Sequence, residues 1–153
     1  MNRRKKVNTF KAVIPALGRN EAYCRNLAVA FLAQADPTVE EIADVKTVIS
    51  EAVTNCIVHA YKNEKDEGNR KIYIEGTQFD DNTFRFTVKD KGCGIENIAK
   101  AMQPLYTTDA DNERSGMGLP IMQTFSDSFK IKSELQKGTV ITFSKKVKGS
   151  DED

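Results

Sequence analysis

Residues 71–88 read Lys71-Ile72-Tyr73-Ile74-Glu75-Gly76-Thr77-Gln78-Phe79-Asp80-Asp81-Asn82-Thr83-Phe84-Arg85-Phe86-Thr87-Val88. Two runs within this stretch, 71–75 and 83–88, alternate apolar and polar side chains. That is the period of a strand with one face toward a core. Asp80-Asp81-Asn82 supplies turn chemistry between them, so the runs are expected to pair as a hairpin. A second such pair closes the chain, with strands over about 128–135 and 139–147 around Gln136-Lys137-Gly138. Near the start, residues 7–14 form another strand-like run ending at Pro15.

Helical patterns are interleaved with these strands. Residues 19–35 carry Leu27, Ala28, Phe31 and Leu32 as an apolar stripe. Pro37 followed by Thr38-Val39-Glu40-Glu41 reads as a helix start with a capping box. The helix it opens should reach about Tyr61, with Ile42, Val45, Ile49, Ala52, Val53, Ile57 and Ala60 toward the core. Shorter helices are expected over 95–102 and 117–125, a charged loop over 62–71 and an irregular polar segment over 103–116. Hairpin-paired strands with interleaved helices imply an α+β two-layer sandwich, a mixed and mostly antiparallel sheet with helices on one face. A length of 153 residues suits one domain over 1–153, with an ordered core from about 8 to 147.

Composition narrows the function. With 23 Lys+Arg against 22 Asp+Glu, the net charge is +1 and gives no electrostatic case for nucleic-acid binding. A 39% apolar and 29% charged chain has the balance of a well-solvated protein. No apolar run approaches the roughly 18 residues that would span a bilayer. The basic start, Arg3-Arg4-Lys5-Lys6, has no apolar stretch after it, so no signal peptide is expected. Cys24, Cys56 and Cys93 are odd in number and widely spaced, which fits a reducing cytoplasm better than a disulfide framework or a zinc site. P-loop, zinc-protease, nucleophile-elbow, dinucleotide and eukaryotic-type kinase signatures are all missing from the sequence.

Three polar constellations remain. Glu51, Asn55 and His59 recur every fourth residue, one polar line along an otherwise apolar helix. A carboxamide oxygen can bind a hard cation such as Mg²⁺, and a carboxylate one turn away can orient or deprotonate a hydroxyl. A solvated helix face gives the same pattern. Asp90-Lys91-Gly92-Cys93-Gly94 follows a strand, setting an acceptor carboxylate beside backbone that a ligand can approach closely. Such a carboxylate could read an amino group like adenine N6, and a plain turn would look alike. Arg114-Ser115-Gly116-Met117-Gly118 precedes a helix and offers N–H groups, a guanidinium and a hydroxyl to an anion.

Together the order and spacing are specific. E-x-x-x-N on a helix, D-x-G-x-G after a strand, G-x-G opening a helix, and Gly138-Thr139 starting the last strand resemble the Bergerat-fold ATPase superfamily of gyrase, Hsp90, histidine kinases and MutL. Fuller stretches, Glu51-Ala52-Val53-Thr54-Asn55, Pro104-Leu105-Tyr106-Thr107-Thr108 and Glu113-Arg114-Ser115-Gly116-Met117-Gly118, resemble the bacterial anti-sigma factor serine kinases, on their sporulation, sigma F-type branch. This resemblance runs from about residue 8 to 147.

The resemblance implies a cytoplasmic homodimer that binds ATP or ADP with Mg²⁺, holds a sigma factor inactive, and phosphorylates a serine of an anti-anti-sigma factor. It makes Glu51 the catalytic base or orienter and Asn55 the Mg²⁺ ligand. Asp90 accepts from adenine N6, with Gly92 and Gly94 letting the backbone close around the base, and Thr139 lies at the adenine edge. Arg114 reaches the γ-phosphate, Ser115, Gly116, Met117 and Gly118 wrap the phosphates, and Thr107 and Thr108 belong to the same lid. Arg25 matches an arginine of the partner surface. A general-stress anti-sigma kinase, or a nucleotide-binding module that sequesters sigma without catalysis, would share most of these motifs. Cys56 and Cys93 stand where the family commonly has small apolar residues, and Pro120 enters the first turn after the lid.

Overall fold

In the computed structural model, which describes residues 3–103 and 118–149, the capping box forms as expected. Glu41 N–H donates to Thr38 Oγ1 at 3.1 Å, and Thr38 N–H donates to Glu41 Oε1 at 2.8 Å. Helix α2 (Val39–Asn55) starts there. The other oxygen of Glu41 accepts the Lys148 N–H at 2.8 Å, so the same carboxylate ties down the chain beyond the last strand. Burial pushes the Glu41 carboxyl up, but the donors from Lys148 and Thr38 outweigh it and hold the group below its ordinary range.

The remaining elements are β1 (Lys6–Pro15), α1 (Asn20–Ala33), β2 (Lys71–Phe79), β3 (Thr83–Lys89), α3 (Ile98–Ala101), α4 (Gly118–Thr124), β4 (Ser128–Glu134) and β5 (Gly138–Lys146). The strands form a five-stranded sheet in the order β1-β2-β3-β5-β4. Every pairing is antiparallel, which sharpens the expected mixed sheet. The two hairpins lie side by side through β3 and β5, with Lys89 opposite Val140. That register puts the residue after β3 next to the first residues of β5, and so places Asp90 beside Thr139.

One face of the sheet carries the core. Ile72 and Ile74 of β2, Phe84, Phe86 and Val88 of β3, and Ile141 and Phe143 of β5 are buried against Phe31 and Leu32 of α1 and Val45, Val48, Ile49, Ala52 and Val53 of α2. Apart from Ala52, each such side chain contributes about 1.5–3 kcal/mol on burial. Phe31 meets Phe10 and Phe84 edge-on, with ring centroids 5.0 and 5.6 Å apart, and Phe86 stacks on Phe143 at 5.4 Å.

The elements depart from the sequence reading in several places: the helix expected over 95–102 is the single turn Ile98–Ala101, and the loop over 62–71 contains a 3-10 turn at Glu67–Asn69. Strand β2 continues to Phe79, because Gly76 stays in the ladder between Phe10 and Phe86 and leaves room for the Phe10 ring. On α2, Val48 joins the buried face while Ile42, like Ile57 just beyond the helix, is only partly covered. The α-helical winding of α2 also stops at Asn55, and Cys56–Ala60 continues as a π-helical turn.

Candidate functional site

The site grows from the end of β3. Asp90 is 6% exposed. Its Oδ1 accepts the Gly92 N–H at 3.0 Å and the Thr139 N–H at 3.2 Å. Its Oδ2 accepts the Cys56 Sγ–H at 3.8 Å, a long bond from a weak sulfur donor. Burial pushes the Asp90 carboxyl up, and these donors offset it only in part. Burial and the adjacent Asp90 charge drive the Cys56 thiol far upward, so the sulfur keeps its proton and acts as a donor.

The loop that follows is clamped from both sides. Cys93 N–H donates to the Ala60 carbonyl at 2.8 Å, and Lys91 N–H donates to the Tyr61 hydroxyl at 2.9 Å, which itself donates to the Lys71 carbonyl. Gly92 lies so close to Ala60 that a Cβ there would fall on the Ala60 carbonyl oxygen. The π turn, a device often found at functional sites, therefore sets the height of the Asp90 loop. On the other side, Gln136 N–H donates to the Cys93 carbonyl at 2.9 Å, and Gly94 packs on the Glu134 carbonyl with φ +77°. Gly138, with φ +119°, packs on the Asp90 carbonyl, a backbone conformation and a contact that both require glycine.

These contacts frame a cleft of about 840 Å³ between α2, the 90–97 segment, α4 and the β4–β5 hairpin. Its walls include Val88, Leu119 and Ile141, and its polar groups include Asn55, Asp90 and Thr139. Apolar walls with a few fixed polar groups suit a planar heterocycle read along one edge. Glu51 lies one turn before Asn55 on α2 and lines a second cleft of about 480 Å³ with Arg25, Lys46, Thr47 and Ser50. Gly118 stands beside both residues: a Cβ there would lie 3.2 Å from Glu51 Oε2 and 3.7 Å from Asn55 Oδ1. Arg25 also pairs with Glu21 at 3.3 Å across one turn of α1.

Thus Asn55, Asp90, Gly94 and Thr139 share one cleft, Gly92 shapes its loop, and Gly118 faces both Glu51 and Asn55. Thr107, Thr108, Arg114, Ser115, Gly116 and Met117 lie outside the described residues. Two site residues were missed in the sequence. Ser133 bonds to Ile95, Gly138 and Thr139, and its signal was a polar residue in the inward phase of Phe129 and Ile131 on β4. Tyr61 carried no signal, since only the fold brings Lys71 and Lys91 to its hydroxyl.

Among the described residues no group of three or more His, Cys, Asp and Glu side chains could hold a metal ion. A carboxamide beside one carboxylate fits Mg²⁺, which takes most of its ligands from water and phosphate oxygens. No helix among the described residues is long and apolar enough to cross a membrane.

The histidine kinase-like ATPase domain family matches residues 14–145. The anti-sigma F factor of Thermoanaerobacter sp. (strain X514) is 49% identical over 133 residues, covering 87% of this chain and 89% of that one. The anti-sigma F factor of Geobacillus sp. (strain WCH70) is 45% identical over 138 residues, covering 90% and 92%. Among solved structures, the RsbU and RsbW domains of a Mycobacterium tuberculosis protein share the fold with a TM-score of 0.66 at 20% identity, over 92% of this chain and 33% of that one. The SiaB-SiaC complex from Pseudomonas aeruginosa gives 0.60 at 14% identity, over 92% and 89%.

Proposed function

Because the chain belongs to the anti-sigma F factor family and carries a histidine kinase-like ATPase domain, which binds ATP or ADP, we propose that it is a regulator with two activities. It holds a sporulation sigma factor of the sigma F type inactive. As a protein serine kinase, it also phosphorylates and so inactivates the anti-anti-sigma factor that would release that sigma. The observation that carries this reading is that Glu51 and Asn55, one turn apart on α2, both face Gly118, with Asn55 in the cleft that also holds Asp90.

In this reading Asp90 accepts from adenine N6, Thr139 lines the same edge, and Gly92 and Gly94 let the backbone close on the base. Arg25 engages the protein partner, whose serine enters the smaller cleft. Glu51 orients that hydroxyl and takes its proton as the serine oxygen attacks the γ-phosphorus and ADP leaves. Phosphoryl transfer is mostly positioning and charge stabilisation, so no covalent enzyme intermediate is needed. Asn55 would hold Mg²⁺, which neutralises charge on the phosphates when bound. Arg114, Ser115, Gly116, Met117 and Gly118 belong to the phosphate side, with Thr107 and Thr108. The whole chain works as one domain, in the cytoplasm, as a homodimer, and Val13 on edge strand β1, 57% exposed, gives a second copy apolar surface to cover.

The test is incubation with labelled ATP, Mg²⁺ and a candidate anti-anti-sigma protein, alongside capture of sigma F. Transfer of label to serine together with sigma capture supports the reading. Nucleotide binding with neither contradicts it.

A further inference from the structure

We infer that Ser133 sets nucleobase selectivity by fixing the direction of the Thr139 hydroxyl, so that the floor of the larger cleft presents acceptors only. This rests on the reading of that cleft as the adenine site.

The two residues face each other across β4 and β5. Ser133 Oγ accepts the Ile95 N–H at 2.7 Å, lies 3.1 Å from the Gly138 carbonyl oxygen, and lies 2.8 Å from Thr139 Oγ1. A hydroxyl has one proton and two lone pairs. The Gly138 carbonyl can only accept, and the Ser133 hydroxyl donates to it. The Ile95 N–H occupies one lone pair of Ser133, and the other receives the Thr139 proton. Thr139, which lines the cleft, is left with lone pairs alone to offer a ligand.

Asp90 is wired the same way. Gly92, Thr139 and Cys56 all donate to it, and the ionised carboxylate has no proton to give back. A 6-aminopurine brings N–H donors to such a floor. A 6-oxopurine brings an oxygen whose lone pairs face those of Asp90 and Thr139, and no group there can turn to meet it. Removing the Ser133 hydroxyl frees the Thr139 proton, which can then rotate toward a 6-oxo group. The specific consequence is a change in the ratio of affinities, beyond any general loss of binding.

The test is calorimetric binding of ATP and ITP to the full chain, for wild type, Ser133→Ala, Ser133→Thr and Thr139→Val. Ser133→Ala is expected to lower the ATP:ITP affinity ratio roughly tenfold, the scale of one hydrogen bond. Ser133→Thr keeps the ratio. In a Thr139→Val background, Ser133→Ala changes the ratio no further, because the two act as a coupled pair. Equal weakening of both nucleotides by Ser133→Ala overturns the inference and leaves Ser133 a residue of strand packing. Should Ser133→Ala lose its thermal unfolding transition, Ser133→Cys keeps the volume, and an unchanged ratio in that variant overturns it equally. A wild type with no preference for ATP over ITP overturns the adenine reading itself, whereas a wild-type preference left unchanged in Ser133→Ala refutes the inference alone.

Discussion

Asp90 and Thr139 exchange two hydrogen bonds across the ends of neighbouring strands. Asp90 N–H donates to the Thr139 carbonyl at 3.0 Å, and Thr139 N–H donates to Asp90 Oδ1 at 3.2 Å. The second bond uses the side chain where a sheet would use backbone, so the carboxylate is built into the ladder itself. Its position then depends on the sheet register more than on the loop after it.

Replacing Asp90 with Asn keeps the shape and removes the charge. A bond to a charged group is worth about 1.5–3 kcal/mol, so ATP affinity in Asp90→Asn should fall on the order of ten- to a hundredfold. Calorimetry reads this directly, and an affinity within twofold of wild type would exclude Asp90 as the adenine acceptor.

Two carboxyls of opposite behaviour shape the pH response. The Asp90 group is held above its ordinary range by burial. Its stability contribution is therefore full below the ordinary carboxylate range and is lost as pH rises through its elevated folded value. Glu41 lies below its ordinary range, so its contribution is present above the ordinary value and is lost as pH falls through the lowered one. Because a protonated Asp90 is no longer an acceptor-only group, ATP affinity should decline on acidification before carboxyls in the usual range, near about pH 4, begin to titrate. Titrations at successive pH values check it: the decline should vanish in Asp90→Asn, and its persistence there would assign it to another group.

The close approach of Gly92 to Ala60 makes a second structural expectation. Gly92→Ala forces the loop off the π turn, costing about 1–3 kcal/mol by overpacking and displacing Asp90. Thermal unfolding should show a lower Tm, and ATP binding should weaken with it. An unchanged Tm would mean that the loop has another resting place.

Arg25 shares a cleft with Glu51 but not with Asp90. Arg25→Ala should therefore weaken binding of sigma or the anti-anti-sigma partner by about tenfold or more, a surface hot-spot effect, while ATP affinity stays unchanged. Pull-down of both partners with the variant checks it, and normal capture of both would place the docking surface elsewhere.

Much of this was legible beforehand. Alternation located the strands on either side of Asp80–Asn82, and Thr38 with Glu41 marked the start of α2, because these signals are local. The line Glu51–Asn55 and the Asp90 loop were visible as spacings. What stayed hidden is what long-range contact decides. The π turn at Cys56–Ala60 answers to Gly92 and Cys93, more than thirty residues on, and the helical period continues through it unbroken. Ser133 reads as an ordinary strand serine until β5 brings Thr139 opposite it. Gly138 looked like a turn residue and is also the seat of the Asp90 carbonyl.

The most direct measurement is phosphate transfer from labelled ATP, with Mg²⁺, to a serine of the anti-anti-sigma partner, run in parallel on wild type and Glu51→Gln. Wild type should label the partner, while Glu51→Gln should bind ATP normally and transfer phosphate about 10²–10⁴-fold more slowly, the contribution of a positioned base. Equal labelling by both proteins would remove Glu51 from the chemistry. Sigma capture and ATP binding by wild type without any labelling would contradict the kinase itself and leave a nucleotide-binding sigma trap.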